Sequence, residues 1–279
     1  MKTSLLIPAL LASACVSVSP EKTPGPETGL PTAVTVRCPE RDGGFDSVDL
    51  LVYDSSSLQK LVGHWRGKSA AFKIVLGPGD YRFVALANLN GELNEEAVSR
   101  YEYLESLSYS LGDEDPDAPL MSGAGFGPAG QAVNLELSPL LCELEVFSIE
   151  NRLDGTEVRD LCIYLLNVNS RAEPMRWSGF RPSRMLNGGW LDLKEVLSLR
   201  CPSMLYSDLR CDIGKNALRP HRSLFCYPND SEEAGLGAPE TVIAIEGTVN
   251  GERRRWEKSP GPLKRAQKKG VELVLESDE

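Results

Sequence analysis

Residues 70–89 read AAFKIVLGPGDYRFVALANL, an apolar run, a Gly-Pro-Gly-Asp break and a second apolar run. Each run is about six residues long and rich in Val, Ile, Leu and aromatic side chains, the composition of a β-strand. Gly77 and Gly79 around Pro78 tighten the turn, so that Tyr81, Phe83, Ala85 and Ala87 share one side of the strand that follows. Asn88, at the end of that strand, is positioned to bond the loop backbone. The same spacing extends towards the N-terminus through AVTVRC (33–38) and SVDLLVYD (47–54), with turns at Asp42-Gly43-Gly44 and Ser55-Ser56-Ser57. Strands this close together, joined by short turns, predict antiparallel sandwiches and not a parallel sheet with crossover helices. ELNEEAVSRYEYLESL (92–107) is the best helix, with Leu93, Ala97, Tyr101 and Leu104 on one face, inserted between strands.

Two further strands meet near Pro139. QAVNLELS (131–138) alternates Val133, Leu135 and Leu137 with Asn134 and Glu136, and LLCELEVFSIE (140–150) sets Leu140, Cys142, Leu144 and Val146 against Glu143 and Glu145. Ser138-Pro139 breaks the alternation and marks a domain boundary. Beyond it VRDLCIYLLNV, SLFCYPN, ETVIAIEGTVN, RRRWEKS and VELVLES are strands, with an irregular stretch over about 171–219. Asn250-Gly251 closes a two-residue hairpin between the strands around Ile245 and Trp256. The expected fold is therefore mainly β, two tandem antiparallel sandwiches with few short helices, over 32–138 and 139–279. No internal sequence repeat is visible.

With 279 residues and a formal net charge of −10, the chain is long enough for two cores and lacks the basic stripe of a nucleic-acid binder. The basic segment GERRRWEKSPGPLKRAQKK (251–269) reads as a solvated hairpin and loop. No catalytic motif is found. His64 and His221 have no zinc-type partners, and there is no G-x-S-x-G and no H-E-x-x-H. Gly67-Lys68-Ser69 lacks the first glycine of a phosphate loop. GFGPAG (125–130) fits a dinucleotide fingerprint in letters only, with Pro128 inside it and no helix after it, and reads as a glycine-rich loop. GDEDPDAP (112–119) lacks the glycine and terminal glutamate of a calcium loop and reads as solvated. No metal, cofactor or catalytic residue is expected.

The N-terminus has the layout of a secretory signal over residues 1–14: Met1-Lys2-Thr3, a short apolar run, then Ala12-Ser13-Ala14. The run is about half the length of a spanning helix. With Cys15 behind it, the segment resembles the lipobox of bacterial lipoproteins, which implies acylation of Cys15. A plain signal cut near Ala14 is the competing reading. Residues 15–31 hold four prolines and two glycines with little to bury, a lipidated tether. Acylation of Cys15 leaves six cysteines, which allow fifteen disulfide connectivities. Cys201 and Cys211, flanking a polar loop, are the favoured bridge, and Cys142 and Cys162 read as small buried apolar residues.

DLLVYDSSSLQKLV, LGPGDYRFVALANL, PLMSG, LCIYLLNVNS and SLFCYPND, in that order, resemble the fimbrillin-like proteins of type V pili, in particular their anchoring subunits. The resemblance implies two transthyretin-like sandwiches that assemble with other fimbrial subunits by β-strand complementation. It also implies N-terminal acyl chains in the cell outer membrane, and an anchor that terminates a pilus without catalysis. Stalk subunits of the family lose an N-terminal strand to a protease cutting after Arg or Lys, and Arg37 and Arg41 flank the first strand here. The alternatives are a pilus tip or stalk subunit, a surface lipoprotein that binds glycans through exposed tryptophans (Trp65, Trp177, Trp190 and Trp256 are the candidates), and a secreted enzyme.

Overall fold

A computed structural model describes residues 29–39, 44–180, 185–186, 191–214, 217–230 and 239–277. In the first half the strands are β1 (Leu30–Arg37), β2 (Val48–Asp54), β3 (Leu61–Gly67), β4 (Ala71–Leu76), β5 (Asp80–Ala87), β6 (Tyr109–Ser110), β7 (Met121–Pro128), β8 (Val133–Glu136) and β9 (Ser138–Pro139). The second half holds β10 (Cys142–Asn151), β11 (Arg159–Leu166), β12 (Val168–Asn169), β13 (Arg171–Ala172), β14 (Met185–Leu186) and β15 (Tyr206–Asp208). It ends with β16 (Arg222–Cys226), β17 (Val242–Val249), β18 (Glu252–Lys258) and β19 (Lys268–Leu275). Among the described residues the α-helices are α1 (Tyr101–Glu105) and α2 (Leu193–Leu197), each a single turn.

The two halves repeat one topology. In the first, β4-β1-β8 forms one sheet and β3-β2-β5-β7-β9 the other. In the second, β16-β10-β19 faces β15-β11-β17-β18. Each half thus opens with a strand central to its smaller sheet, antiparallel to one neighbour and parallel to another, β8 in the first half and β19 in the second. The two parallel pairs were not foreseen by the antiparallel reading. They arise because a late strand of each half, β8 or β19, returns beside its first. The repeat is one of backbone, carried by strand order without shared sequence.

β4 and β5 lie in different sheets, so the Gly77–Gly79 turn carries the chain from one layer to the other. Val34 and Val36 of β1, Ile74 and Leu76 of β4, and Val133 and Leu135 of β8 pack on Leu50 and Val52 of β2 and Phe83 and Ala85 of β5. The other face of β2 and β5, with Leu51, Tyr53, Val84 and Leu86, joins a second cluster that continues through Leu144, Ile163, Ile245 and Leu273. Burial on both faces explains why β2 and β5 read as near-continuous apolar runs, broken only by Asp49 and Arg82 within them, while β1 and β8 alternate.

Two sequence expectations are corrected. Gly125–Pro128 of GFGPAG belong to strand β7, and only Ala129-Gly130 form a turn. Gly123, Gly125 and Gly127 fall on one face at period two, and a β-carbon there would meet Glu136 O at 2.1 Å, Leu135 Cδ2 at 2.9 Å and Val133 Cγ2 at 3.0 Å. The glycines let β8 come against β7. The helix over 92–107 is broken into a 3-10 turn (Glu96–Val98) and α1. Between them the backbone bonds outward, from Leu61 N–H to Ser99 O (2.9 Å) and from Tyr101 N–H to Gln59 O (3.0 Å). Val98, Tyr101 and Leu104 are buried, and Ala97 is exposed. Asn250 and Gly251 both have positive φ, 51° and 86°, and close the hairpin that pairs Ile245 with Trp256.

Candidate assembly site: the slot of the first strand and the joint between halves

β1 lies in a slot. On one side it pairs antiparallel with β4, from Leu30↔Leu76 to Thr35↔Ala71, and on the other parallel with β8, from Val34↔Val133 to Arg37↔Glu136. Thr32, Val34 and Val36 point inward, while Pro31, Ala33, Thr35 and Arg37 face outward. The inward Thr32 is satisfied, its hydroxyl accepting from Gly130 N–H at 2.8 Å. At the far end Arg37 forms an exposed ion pair with Glu136, and its carbonyl accepts from Leu137 N–H at 2.7 Å. Lifting β1 out would expose an unpaired edge on each side and an apolar floor between them, which is the geometry that accepts an extended strand. Arg37 ends the strand at the surface. Arg41 and Cys15 lie outside the described residues.

The halves are joined at Arg265, in the loop between β18 and β19. Its Nη2 donates to Ser122 Oγ (2.7 Å) and Ser138 O (2.7 Å), its Nη1 to Pro174 O (2.6 Å), and its Nε to Pro139 O (3.3 Å). Its guanidinium carbon also stands 4.2 Å from the centre of the Trp177 ring. One planar fork thus ties β7 and β9 of the first half to the second. Arg265→Ala is expected to cost about 2 kcal/mol in urea unfolding of the whole chain, because several carbonyls lose a charged donor at once. Arg265→Lys should recover less than half of that, since an ammonium cannot reproduce the fork. A loss below about 0.5 kcal/mol, the usual effect of a surface substitution, would contradict this assignment.

The acidic loop is not wholly solvated. Glu114 turns inward at the joint and is buried, accepting from Tyr227 OH (2.9 Å) and Leu120 N–H (3.1 Å). Burial pushes its carboxyl up to about 7. No metal-binding cluster of His, Cys, Asp or Glu occurs among the described residues. His64, on β3, is a partnered strand residue. Its Nε2 stands 2.8 Å from Oδ1 of the fully buried Asp49 and its Nδ1 3.3 Å from Glu95 Oε1. The hydrogen bond it donates to Asp49 raises its pKa above the ordinary imidazole value. His221 pairs at the surface with Glu145 (2.9 Å). Neither Glu114 nor Asp49 was visible in the sequence, where each is one acid among forty.

The tryptophans do not gather. Trp65 packs on the first-half core, Trp256 packs on the second and donates to Glu276 O (2.7 Å), and Trp177 lies half exposed under Arg265. Trp190 lies outside the described residues. Cys201 precedes the 3-10 turn Pro202–Met204, and Cys211 lines a polar cleft with Asp160, Tyr206 and Arg253. Both are half-buried thiols. Cys142 and Cys162 are buried strand residues, as expected, but Cys142 faces Cys226. β19 pairs with β10 within its own half.

Solved structures share this architecture. A candidate cell adhesion protein from Bacteroides eggerthii superposes with a TM-score of 0.60 at 13% identity, over 92% of this chain and 88% of that one. A fimbrial assembly protein from Parabacteroides distasonis gives 0.58 at 9% identity, over 90% and 93% of the two chains. A fimbrilin from Porphyromonas gingivalis gives 0.55 at 12% identity, over 80% and 72%. No protein-family model matches the chain, and no curated protein does. The likeness to fimbrillin-like proteins carried by the ordered motifs is thus matched by the fold.

Proposed function

We propose that this protein is a lipid-anchored fimbrial subunit that terminates a pilus at the outer membrane of the cell, with no catalytic role. The seating of β1 is the observation that supports it most directly. A subunit whose strand slot is filled by its own first strand accepts no neighbour's strand there, which is what ending a fibre requires. Residues 15–29 join that strand to Cys15. Acyl chains on Cys15 would hold the body at the membrane, each buried CH₂ contributing about 0.8 kcal/mol. A cut after Arg37 or Arg41 would leave the lipid attached to β1 alone, so the anchor keeps this connection intact. The names of the structural neighbours, two fimbrial and one adhesive, agree with a place at the cell surface among other fimbrial subunits. An oxidised Cys201–Cys211 pair and domains meeting at 138–139 belong to the same reading.

Cys15→Ala should move the protein from the membrane fraction to the soluble one, and the membrane-bound wild type should have a mass that begins at an acylated Cys15 and runs through Arg41 unbroken. Unchanged membrane association of the variant would overturn the anchor. A membrane form cleaved after Arg37 or Arg41 would point instead to a stalk subunit.

A further inference from the structure

We propose that Cys142 and Cys226 form a cross-strand disulfide that locks the first strand of the second half to its antiparallel neighbour. This rests on the exported location just proposed, because disulfides persist outside the reducing cytoplasm. Cys142 and Cys226 are directly opposed in the β10–β16 register. Opposed residues of an antiparallel pair hold their β-carbons roughly 4.5–5.5 Å apart, close to the separation a disulfide spans. The two sulfurs face one another at 3.5 Å, and a small rotation of each side chain closes that to a bond length of about 2.05 Å. Both residues are fully buried. β10 is the second half's counterpart of β1, central to its sheet, so the bond would fix the one strand on which β16 and β19 both depend.

Bond formation removes two protons and two electrons from the two thiols. A disulfide donor of the compartment outside the cytoplasm accepts them, its own S–S bond breaking to two thiols. The order of events follows from burial. Hydrogen bonding to Cys142 and burial raise the Cys226 thiol well above its ordinary value, so Cys226 is a poor nucleophile in the folded chain, and burial shields both thiols from reagents. The exchange therefore takes place while β16 is docking, before the cluster around Leu144 and Leu224 closes, and the finished bond is protected from reductants until the chain unfolds.

The full-length chain, reduced in urea and then refolded in a glutathione redox buffer, tests this. Free thiols are trapped with iodoacetamide and linkages mapped by peptide mass spectrometry. A peptide pair joining Cys142 to Cys226 is expected. Closing a loop of 84 residues should shift the unfolding equilibrium on the order of a thousandfold, lowering the urea midpoint when reductant is added. The double variant Cys142→Ala/Cys226→Ala, apolar and small enough for both positions, should fold and lose that dependence on reductant. Alkylation of both thiols, a bond from either to another cysteine, or the same shift in the double variant would each overturn the proposal. Export is read separately, by fractionating cells. A chain that forms the bond on refolding yet stays in the cytoplasm sinks the location and leaves the pairing standing.

Discussion

Gly123→Ala is expected to destabilise the first sandwich by more than the roughly 1–3 kcal/mol of ordinary overpacking, enough to prevent its folding at physiological temperature. The added β-carbon would sit 2.1 Å from the carbonyl oxygen of Glu136 and 2.9 Å from Leu137 Cδ2. A carbonyl on a packed strand cannot swing aside as a side chain does, so relief requires β8 to separate from β7. β8 is also the parallel partner of β1, and its displacement would loosen the strand slot itself. The other glycines of the row give a graded series. Gly125→Ala meets only the flexible end of Leu135 at 2.9 Å, and Gly127→Ala meets Val133 Cγ2 at 3.0 Å. Both should cost less, in that order. Gly44, with open space around its position, should tolerate alanine within about 0.5 kcal/mol. Urea unfolding of the four variants checks the ranking, and a Gly123→Ala protein as stable as Gly44→Ala would refute the close approach.

That glycine row shows what the sequence made legible and what it did not. Period-two alternation and turn residues marked most long strands, including the Asn250-Gly251 hairpin, because each is a local property of a few residues. The glycines at 123, 125 and 127 carry the same period, yet they contribute no apolar side chain, so GFGPAG looked like a loop. Their meaning depends on Val133, Leu135 and the backbone of Glu136 on a facing strand. The helix failed for a similar reason: 92–107 has the right periodicity, but the backbone at Ser99 is bonded to the β3 edge. The parallel pairs, the slot around β1 and the Arg265 joint all join residues far apart in the chain, and nothing local announces them. Arg265 stood in a basic segment read as a solvated hairpin and loop, although its guanidinium bonds several groups of the first half. What the ordered motifs did carry was the fold class, because those segments are the strands and turns that build each layer.

Stability should fall as pH rises from about 5 to 8, and Glu114→Gln should abolish most of that fall. In the unfolded chain Glu114 titrates near its ordinary value of 4.5, while burial at the joint raises it to about 7 in the native protein. The folded state thus binds the proton more tightly. Its stabilisation is complete below pH 4.5 and is lost as pH rises through about 7. A difference of this size corresponds to about 3 kcal/mol, a sizeable part of the stability of an ordinary domain. The Tyr227 hydroxyl and Leu120 N–H oppose the shift by favouring the carboxylate, but desolvation outweighs them. His64 acts with the same sign in a neighbouring window. Its pKa is raised by Asp49, so its contribution is present below 6.5 and disappears above that value. Asp54, lowered mainly by the Ser56 hydroxyl, changes stability only at more acid pH. Urea unfolding of wild type and Glu114→Gln at half-unit steps separates these terms. In the variant the amide oxygen can accept from Leu120 N–H and the amide NH2 can donate to the Tyr227 hydroxyl oxygen, so it should fold, be nearly flat from pH 5 to 6.5, and retain only the smaller decline due to His64 above that. Glu114→Ala would instead leave the buried Tyr227 hydroxyl without its acceptor and lose stability at every pH. A wild type whose stability rises across this window, or a Glu114→Gln profile parallel to it, would show that the carboxyl is ionised in the native joint. The first half's acidic loop would then meet Tyr227 as a charge and not as a shared proton.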